Sequence, residues 1–440
     1  MIADPLPAGA GRGAGAVRTA PALRRGPIAA LVVVALVVRI AVVIATPHFI
    51  PVTDAGEFDH IAVSLADHGT YPSSYLAPHA GPTAFRPPLF PGALAAVYTI
   101  VGTGSQHTRW DAGRVLEAVF GAIAVWLIAL IATRVWGWRV GLVAAGIAAV
   151  WPPLVLVGSS LLSESLFIAL ILASVWAALV YRDDRRLRWA VLAGVFVGLS
   201  ALTRGNGFLL VIPVGFLVWT TRPRRSWAAV RAPLAVLAAA VVVLIPWTVR
   251  NYDQFHTFVP VTTETGYALA GTYNATAQND KRFPGLWLAP IPQMRQAFIV
   301  HPGADESLVS STLTHEATHY IHEHPLSVVT TVYWNTLRLL NLTGADVERA
   351  FAGGEGYPIW LAVLSVYVFW ALLALCVAGL RSRSLRAAPL ALWGCPLVIY
   401  LTTAPLLGLT RYRAPADPFL IFVAALAVVA AWDRIRSARP

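Results

Sequence analysis

Long apolar runs alternate with short polar segments along most of the 440-residue chain. Runs such as Pro27–Ala45 and Pro358–Leu380 each approach the roughly 20 residues that an α-helix needs to cross a bilayer. The pattern predicts an all-α polytopic membrane protein with about ten transmembrane helices. The predicted spans are residues 27–45, 114–133, 139–157, 164–181, 189–203, 207–220, 232–250, 358–380, 388–409 and 416–432.

Two further apolar stretches are shorter or more polar than these spans. Leu89–Gly102 has 14 residues, which as a helix would be roughly 21 Å long against a hydrocarbon core of about 30 Å. Leu326–Leu342 contains Asn335, Arg338 and Asn341, which are unfavourable in lipid unless they face protein or water. We interpret both stretches as interfacial or half-inserted helices.

The charged residues predict the orientation of the spans. With the N-terminus inside, all but four of the 22 acidic residues lie on the outer side. Basic residues collect on cytoplasmic segments, as membrane insertion favours. These basic clusters lie within residues 12–25, 134–139, 182–188, 222–231, 381–386 and 434–439. We therefore expect a plasma (inner) membrane protein with both termini in the cytoplasm and an extracytoplasmic active site.

Composition excludes two other classes of protein. The net charge of +11 could suggest nucleic-acid binding, but the basic residues flank apolar spans, where they set topology. The two cysteines, Cys376 and Cys395, both lie in predicted spans, so no extracellular disulfide framework is expected. Residues 1–26 are rich in Gly, Ala, Pro and Arg and predict a disordered cytoplasmic tail. The first apolar run is too long for a cleaved signal peptide and is expected to remain as an anchor.

Two long polar segments interrupt the rhythm of short loops. The first long segment comprises residues 46–113, within an N-terminal membrane module, 27–250. The second long segment comprises residues 251–357 and precedes the C-terminal membrane helices and short tail, 358–440. Both are predicted to be external. This much chain on one side indicates a site built at the outer surface of the membrane.

A short amphipathic helix is predicted in the first long segment. Its apolar stripe is formed by residues three and four positions apart, and Gly69 should end it. Asp54 stands at its start, with Glu57 three residues later. One interpretation is a variant of the capping box, in which Asp54 accepts backbone N–H groups. The other is a fixed carboxylate at the membrane surface that acts as a general base. The stripe is Phe58, Ile61, Ala62 and Leu65.

A rigid mount is predicted for Arg86, because Pro87 and Pro88 follow it directly and restrict its backbone. An arginine at this depth could simply extend towards lipid phosphates. The alternative is a dedicated contact to a substrate phosphate.

These residues belong to a series of short motifs with a characteristic order. The series is Asp54…Phe58…Ile61-Ala62, Gly69, Arg86-Pro87-Pro88-Leu89-Phe90-Pro91, Ser163-Glu164-Ser165-Leu166-Phe167, Leu202-Thr203-Arg204-Gly205, Pro246-Trp247-Thr248-Val249-Arg250-Asn251, Gly266-Tyr267, Gly271-Thr272-Tyr273-Asn274 and Arg411-Tyr412-Arg413-Ala414-Pro415. The series resembles glycosyltransferase family 39, a family of GT-C membrane glycosyltransferases related to protein O-mannosyltransferases and lipid A aminoarabinose transferases. The resemblance covers essentially residues 27–432.

The resemblance implies a GT-C-type bundle that takes a sugar from a polyprenyl-phosphate donor, a hexosyl or pentosyl transfer. The acceptor would be an extracytoplasmic protein, lipid or cell-wall glycan. The family's first-loop aspartate maps onto Asp54 and the acid of its next external loop onto Glu164. Glu57, Tyr267 and Asn274 are candidates for substrate contacts. The chain departs from the family in having a phenylalanine at position 58, where tyrosine is common, and a single acid at position 54 where some relatives have two. These departures weaken any transfer of acceptor specificity.

Elementary chemistry supports this interpretation. Transfer leaves a phosphate as leaving group, so cationic donors should lie where that charge develops. An acceptor hydroxyl needs a base within hydrogen-bonding reach, which Asp54 could supply. Glu164 could also serve only the dipole of the helix that it begins. No motif requires a cofactor, and involvement of a divalent metal ion is left open. The phosphate-binding candidates, all at helix ends, are Arg86, Arg204, Arg250, Arg411 and Arg413.

Two other classes of function remain as alternatives. A transporter or lipid flippase would commonly show repeated halves and charges near the middle of the membrane, whereas no repeat is evident and Arg39 is the only charge well inside a predicted span. A zinc metalloprotease is suggested by His315-Glu316-Ala317-Thr318-His319, which would place two imidazoles on one helical face. No third ligand follows at a suitable spacing. The segment is interpreted as an amphipathic surface helix, with a stripe of Leu313, Ala317, Tyr320 and Ile321.

Overall fold

A computed structural model describes residues 25–73, 81–219, 227–301 and 303–438. Throughout these residues the regular structure is helical and contains no β-strand. The predicted disordered tail, 1–26, lies outside the described residues up to position 24. The all-α prediction is confirmed.

In the N-terminal module, residues 27–250 in the prediction, the described residues form ten α-helices. Their bounds are α1 Arg25–Ala45, α2 Thr53–His68, α3 Leu89–Val101, α4 Gln106–Trp136, α5 Trp138–Val150, α6 Pro152–Val157, α7 Glu164–Asp184, α8 Leu187–Ala201, α9 Val211–Val218 and α10 Trp227–Phe255. A 3₁₀ turn, Gly205–Leu210, leads into α9. The first long segment contributes α2 and α3, and its predicted apolar stripe is buried at Phe58, Ile61 and Ala62. Gly69 ends α2 with a φ of +69°, as predicted.

In the second long segment, the residues that the structure describes form six helices that are mostly short, and four more follow them. The bounds are α11 Glu264–Thr272, α12 Ala275–Gln278, α13 Ile291–Val300, α14 Glu306–Glu323, α15 Leu326–Leu339, α16 Asp346–Phe351, α17 Ile359–Leu380, α18 Gly394–Thr403, α19 Thr410–Arg413 and α20 Asp417–Ser437. Short 3₁₀ turns at Arg383–Ala387, Leu390–Trp393 and Ala414–Ala416 connect the last of these.

Six helical segments of the described chain are long and apolar enough to cross a membrane. They coincide with six of the predicted spans and are Gly26–Ala45, Gln106–Trp136, Glu164–Asp184, Ala229–Phe255, Ile359–Leu380 and Thr410–Ser437. The other predicted spans coincide with shorter apolar helices, Trp138–Val150, Leu187–Ala201, Gly205–Val218 and Leu390–Thr403. The positions of the helices are therefore confirmed, whereas the number of crossings stays a prediction.

The predicted span 139–157 is divided into two helices at Trp151. The prolines that follow Trp151 supply no N–H group, so carbonyl groups at the end of α5 lack helical partners. The guanidinium of Arg39, fully buried in α1, donates hydrogen bonds to the carbonyl of Ala149 at 3.2 Å and to that of Leu154 at 3.2 Å. Arg39 thus stabilises the break between α5 and α6 inside the bundle, where no water is available to donate hydrogen bonds to these carbonyls.

Two glycines make the space that Arg39 occupies. A Cβ atom added at Gly158 would lie 2.6 Å from Arg39 Nε, and one added at Gly121 would overlap the same side chain. A larger residue at either position would expel the guanidinium from its place. The one charge predicted well inside a span therefore has a structural role.

The second long segment builds a small core of its own. Helices α11 and α14 pack through Tyr267, Val309, Leu313 and Ala317, all buried. The amphipathic interpretation of α14 is confirmed at Leu313 and Ala317. The polar residues of α15 face protein, since Asn335 Nδ2 donates to the carbonyl of Ala404 at 3.0 Å.

Candidate functional site

A cavity of about 460 Å³ lies between the start of α2, the residues before α3, and helices α11, α16 and α19. One part of its wall is apolar and aromatic, and another carries a group of charged side chains. The apolar part includes Phe85, Tyr267, Leu286, Trp287, Met294, Phe351, Leu407 and Leu409. The charged part includes Asp54, Glu57, Arg86, Glu264, Glu355 and Arg411. The cavity therefore suits a molecule with an apolar portion and an anionic portion.

Arg86 binds three carboxylates at once. Its Nε donates to Glu57 Oε2 at 3.0 Å and its Nη1 to Glu264 Oε1 at 3.0 Å, while Nη2 donates to Asp54 Oδ1. The side chain is 9% exposed. A guanidinium with three ionic partners has a fixed position and orientation.

Aromatic rings and the backbone complete the mount of Arg86. The guanidinium lies 4.8 Å from the ring centre of Phe85 and 5.3 Å from that of Phe58, within the range of cation–π contacts. The N–H of Leu89 donates to the carbonyl of Leu202 at 2.9 Å, which ties the proline-rich segment to the end of α8. The predicted stiff mount of Arg86 is thus present.

Arg411, from α19, meets Arg86 at Asp54. Its Nη2 donates to Asp54 Oδ2 and to the hydroxyl oxygen of Tyr412, and its Nη1 donates to Glu355 Oε2. Both oxygens of Asp54 are therefore engaged, one by each arginine. This carboxylate therefore links the first long segment to α19.

Arg204 and Glu164 lie behind Arg411 and not in the cavity wall. Arg204 Nη1 donates to Glu164 Oε1 at 2.8 Å, and the same oxygen lies 3.9 Å from Arg411 Nε. The ring of Tyr412 lies between the two arginines, 5.2 Å from Arg204 and 4.5 Å from Arg411. Glu164 is 1% exposed, and its Oε2 is buried without a hydrogen-bond partner among the described residues. Arg204 and Glu164 therefore support Arg411 on the side away from the cavity.

The cluster holds more carboxylates than cations. Three guanidinium groups face five carboxyl groups, namely Asp54, Glu57, Glu164, Glu264 and Glu355. Burial opposes the ionisation of Asp54, but the charges of Arg86, Arg411 and Arg204 outweigh it and lower the pKa of Asp54. Burial instead raises the pKa of Glu355 to about 7, although Arg411 acts in the opposite direction. Near neutral pH, Asp54 stays ionised and Glu355 is poised to change its charge.

The capping interpretation of Asp54 is wrong. Helix α2 begins at Thr53, its N-cap is Val52, and no side chain caps its first turn. Asp54 lies inside that turn, and both of its oxygens bind arginines instead of backbone N–H groups. The attraction of two buried guanidinium groups outweighs the weaker hydrogen bonds of a cap.

Three of the candidate residues lie outside the cavity wall and have other partners. Arg250 Nη1 donates to the carbonyl of Thr83 at 2.9 Å. Arg413 Nε donates to Asp417 Oδ1 at 2.9 Å. Asn274 caps α12 by accepting a hydrogen bond from the N–H of Ala277 at 2.9 Å. These contacts hold helix ends and loops together.

Tyr267 lies in the cavity wall, in contact with the Arg86 mount. Its ring meets that of Phe85 edge to face, with 4.9 Å between the centres. Its hydroxyl is buried and has no hydrogen-bond partner among the described residues. An unpaired buried hydroxyl is unfavourable, so this group is available to a bound molecule.

Sequence reasoning missed Glu264, Glu355 and Tyr412 as members of the site. Tyr412 lies next to Arg411 in a motif from which only the two arginines were predicted to belong to the site. Glu355 is enclosed by Gly353, Gly354 and Gly356, a composition that signals a tight turn. Glycine content alone does not show which side chain enters a cavity.

The histidines of the metalloprotease motif lie elsewhere. His315 and His319 are exposed on α14, and His319 Nδ1 lies 3.4 Å from Glu323. Within the described ranges there is no group of three or more His, Cys, Asp or Glu side chains arranged to hold a metal ion.

Part of the chain matches a known protein family. Residues 85–249 match the family model for dolichyl-phosphate-mannose-protein mannosyltransferase. No curated protein sequence matches the chain.

Solved structures give a broader likeness. The archaeal oligosaccharyltransferase AglB from Archaeoglobus fulgidus, in complex with an inhibitory peptide and a dolichol-phosphate, aligns with a TM-score of 0.57 and 14% identity over 94% of this chain and 51% of that one. The same enzyme tethered to an acceptor peptide aligns with a TM-score of 0.57 and 13% identity, over 94% of this chain and 51% of that one. ArnT from Cupriavidus metallidurans bound to undecaprenyl phosphate aligns less well, with a TM-score of 0.43 and 16% identity over 92% of this chain and 77% of that one. The chain spans about half the length of the archaeal enzyme.

Fold and family match together make the chain similar to the GT-C superfamily of membrane glycosyltransferases. Within that superfamily, residues 85–249 are similar to the dolichyl-phosphate-mannose-protein mannosyltransferases. The resemblance is confirmed over residues 85–249, and the helical GT-C-type architecture predicted from the sequence is confirmed by the likeness in fold.

Proposed function

We propose that the chain transfers a single sugar from a polyprenyl-phosphate donor to an extracytoplasmic acceptor. The observation that carries the proposal is the meeting of Arg86 and Arg411 at Asp54, in the wall of a largely apolar cavity. Arginines bind phosphate oxygens, and an apolar wall suits the first part of an isoprenoid chain. The family match, and the dolichol-phosphate bound by the archaeal oligosaccharyltransferase, support the same class of donor.

The proposed reaction is a substitution at the anomeric carbon of the donor sugar. The acceptor hydroxyl oxygen attacks this carbon, and a new carbon–oxygen bond forms. The bond from the anomeric carbon to the phosphate oxygen breaks, and its electron pair leaves with polyprenyl phosphate. The hydroxyl proton passes to a carboxylate of the site. Negative charge therefore grows on the phosphate, where cationic hydrogen-bond donors lower the barrier.

The arginines differ in their proposed parts. Arg86 and Arg411 lie in the cavity wall and are proposed to contact the phosphate. Arg204 lies behind Arg411 and supports it through Glu164 and the ring of Tyr412. Arg250 and Arg413 are not proposed to contact the phosphate. Outside the cavity wall, the guanidinium of Arg250 donates to a main-chain carbonyl and that of Arg413 to a carboxylate.

The topology also remains a proposal. We propose that the cavity opens on the extracytoplasmic side of the plasma membrane, because the acidic residues that form it belong mainly to segments expected outside. The donor's phosphate would then lie at the level of the lipid head groups. The sugar would be delivered to an acceptor outside the cytoplasm.

Binding of undecaprenyl phosphate to the purified full-length chain in nanodiscs tests the donor class. We expect saturable binding that is lost with the alcohol undecaprenol, since the alcohol lacks the phosphate. Arg86→Gln should weaken binding at least tenfold, which corresponds to about 1.4 kcal/mol. Arg295→Gln, an exposed arginine of α13, is the matched control and should bind as the wild type does.

Donor consumption tests the reaction itself. Membranes containing the chain should consume one member of a panel of radiolabelled polyprenyl-phosphate monosaccharides and place its label on an acceptor. If the alcohol binds as well as the phosphate, and no donor is consumed, the proposed function is wrong. Transport of donor into sealed vesicles without sugar transfer would instead support the transporter alternative.

A further inference from the structure

Glu355 is a carboxyl group of the cavity that the resemblance does not assign. It lies in the loop between α16, which ends at Phe351, and α17, which begins at Ile359. The residue is 9% exposed and belongs to the cavity wall. Arg411 Nη1 donates to its Oε2, whereas Oε1 accepts no hydrogen bond from the residues that the structure describes. One oxygen of this carboxyl group is therefore available to a bound molecule.

The loop that carries Glu355 has a fixed conformation. The N–H of Glu355 donates to the carbonyl of Phe351 at 3.1 Å, and the N–H of Tyr357 to that of Ala352 at 2.9 Å. Gly356 has a φ of +73°, and a Cβ atom there would overlap the ring of Phe49. Only glycine fits this position without strain, so the loop holds Glu355 in place.

A further hydrogen bond ties the loop to the first long segment. Thr53 Oγ1, at the start of α2, donates to the carbonyl of Gly354 at 2.8 Å. Thr53 and Gly354 are each one position before Asp54 and Glu355. The two carboxyl groups are consequently held side by side, with Arg411 bound to both.

Asp54 is poorly suited to accept a proton in this arrangement. Each of its oxygens already accepts a hydrogen bond from an arginine, and those positive charges lower its pKa. A general base works best when its pKa is close to the operating pH. Glu355 meets this condition, because burial raises its pKa to about 7. Its Oε1 also accepts no hydrogen bond from any residue within the described ranges.

We propose that Glu355 is the catalytic base, which takes the proton of the acceptor hydroxyl as the oxygen attacks the anomeric carbon. Asp54 then acts as a positioning residue that holds Arg86 and Arg411 for the leaving phosphate. The inference rests on the proposed function. It assigns the proton of that reaction to Glu355, and the phosphate keeps the electron pair of the broken bond.

The pH dependence follows from the groups that face Glu355. Burial is the main cause of its raised pKa, Arg411 opposes it, and three acids add to it. A donor phosphate on Arg411 would raise the pKa further, since it brings another negative charge. Glu355 must be deprotonated to act, so kcat/KM, which reports the free enzyme, should increase as the pH rises through about 7, and kcat should increase at a higher pH. The facing groups are Arg411, Asp54, Glu164, Glu348, Tyr357 and Tyr412.

The test compares Glu355→Gln with Glu355→Asp in the full-length protein in nanodiscs. Glutamine keeps a hydrogen-bond acceptor for Arg411 but cannot take a proton. We expect Glu355→Gln to reduce kcat at least about 100-fold, the lower end of what general-base catalysis contributes. Below about pH 7, where Glu355 of the wild type also carries a proton, the affinity of Glu355→Gln for undecaprenyl phosphate should stay within about threefold, about 0.6 kcal/mol, of the wild type. The acid limb of the pH–rate profile should disappear in this variant and persist, at a lower rate, in Glu355→Asp.

The control and the contrary outcomes are defined by the same assays. Glu323→Gln, an exposed acid of α14, should leave both rate and affinity unchanged. A Glu355→Gln protein that keeps its acid limb, or a rate within a few fold of wild type, overturns the assignment. So does a loss of undecaprenyl phosphate binding, which would mean that Glu355 acts on donor binding. A wild-type protein that neither binds undecaprenyl phosphate nor consumes a donor would refute the proposed function, and the inference with it.

Discussion

Replacement of Asp54 by asparagine has two opposing effects on the site. Asparagine has nearly the same shape, but it removes one negative charge and weakens the hydrogen bonds from Arg86 and Arg411. The weaker bonds could let the arginines move. The lost charge removes repulsion between Asp54 and an incoming phosphate.

The structure indicates which effect on binding is larger. Arg86 keeps Glu57 and Glu264, both at 3.0 Å, and Arg411 keeps Glu355. The arginines should therefore stay close to their present positions. A phosphate oxygen on the same guanidinium would lie about 5 Å from the Asp54 carboxylate, within reach of one planar group.

The repulsion at that distance sets the expected magnitude. It is about 0.8 kcal/mol in water and about 3 kcal/mol at an effective dielectric constant of about 20. Because the side chain of Asp54 is 22% exposed, we take an intermediate range of about 1–2 kcal/mol. Asp54→Asn should accordingly bind undecaprenyl phosphate about 5- to 30-fold more tightly. Transfer should still fall about 100-fold, because the loss of the shared Asp54 carboxylate permits a shift of about 1 Å, which is too small to weaken binding but has an effect of that size on catalysis.

Binding and single-turnover transfer on the same nanodisc preparation check both parts. Asp67→Asn is a matched control, since Asp67 lies in the same helix, is exposed and is outside the cavity wall. Weaker binding by Asp54→Asn would show that its hold on the arginines matters more than its charge. Unchanged transfer would remove Asp54 from the reaction. Loss of the acid limb in this variant would return the role of base to Asp54 and contradict the assignment to Glu355.

Three further substitutions test the surroundings of the site. Arg39→Leu leaves the carbonyl of Ala149 at the helix break without its hydrogen-bond donor and should lower the free energy of unfolding by about 2 kcal/mol. The change is seen as a lower Tm in detergent, and an unchanged Tm would contradict this role. Gly356→Ala should displace the loop that carries Glu355, because the added methyl group overlaps Phe49. Transfer should fall at least about tenfold, and undecaprenyl phosphate binding should be kept. Full activity would show that the position of Glu355 is not critical. Burial raises the pKa of Glu306 to about 7 from 4.5, so the folded protein holds a proton that the unfolded chain releases. Stability should decrease by about 3 kcal/mol as the pH rises across that interval, and Glu306→Gln should abolish this pH dependence of Tm.

Hydrophobic patterning predicted where the helices lie, because burial acts on every residue of a helix face in the same way. The stripe at Phe58, Ile61 and Ala62 is buried as expected, and Gly69 ends its helix. The division of span 139–157 was not anticipated, although two adjacent prolines after Trp151 signal it. Averaged hydropathy does not detect a break that leaves the side chains apolar.

The side chains of the site could be nominated from the sequence but not ranked. Arg411 and Arg413 are two positions apart, which places them about 200° apart around a helix. Arg411 consequently faces the cavity, whereas Arg413 binds Asp417. Without the orientation of α19, no local feature separates the two. The pairing of Asp54 with Arg411 joins positions 357 residues apart and depends on the packing of the whole bundle.

The excess of carboxylates explains why a titratable group belongs in this cavity. Arginines that are already neutralised attract a phosphate only weakly, so donor binding is favoured when one carboxyl group carries a proton. Glu355 can carry that proton near neutral pH, and it shares Arg411 with Asp54. Proton transfer from the acceptor hydroxyl instead requires Glu355 to be deprotonated. Donor affinity should therefore decrease above about pH 7 while the chemical step becomes faster, so the two steps place opposite demands on one side chain. Asp54 cannot change its charge in the same way, because both of its oxygens are held in ion pairs with arginines. For this physical reason, Asp54 positions the arginines and Glu355 accepts the proton.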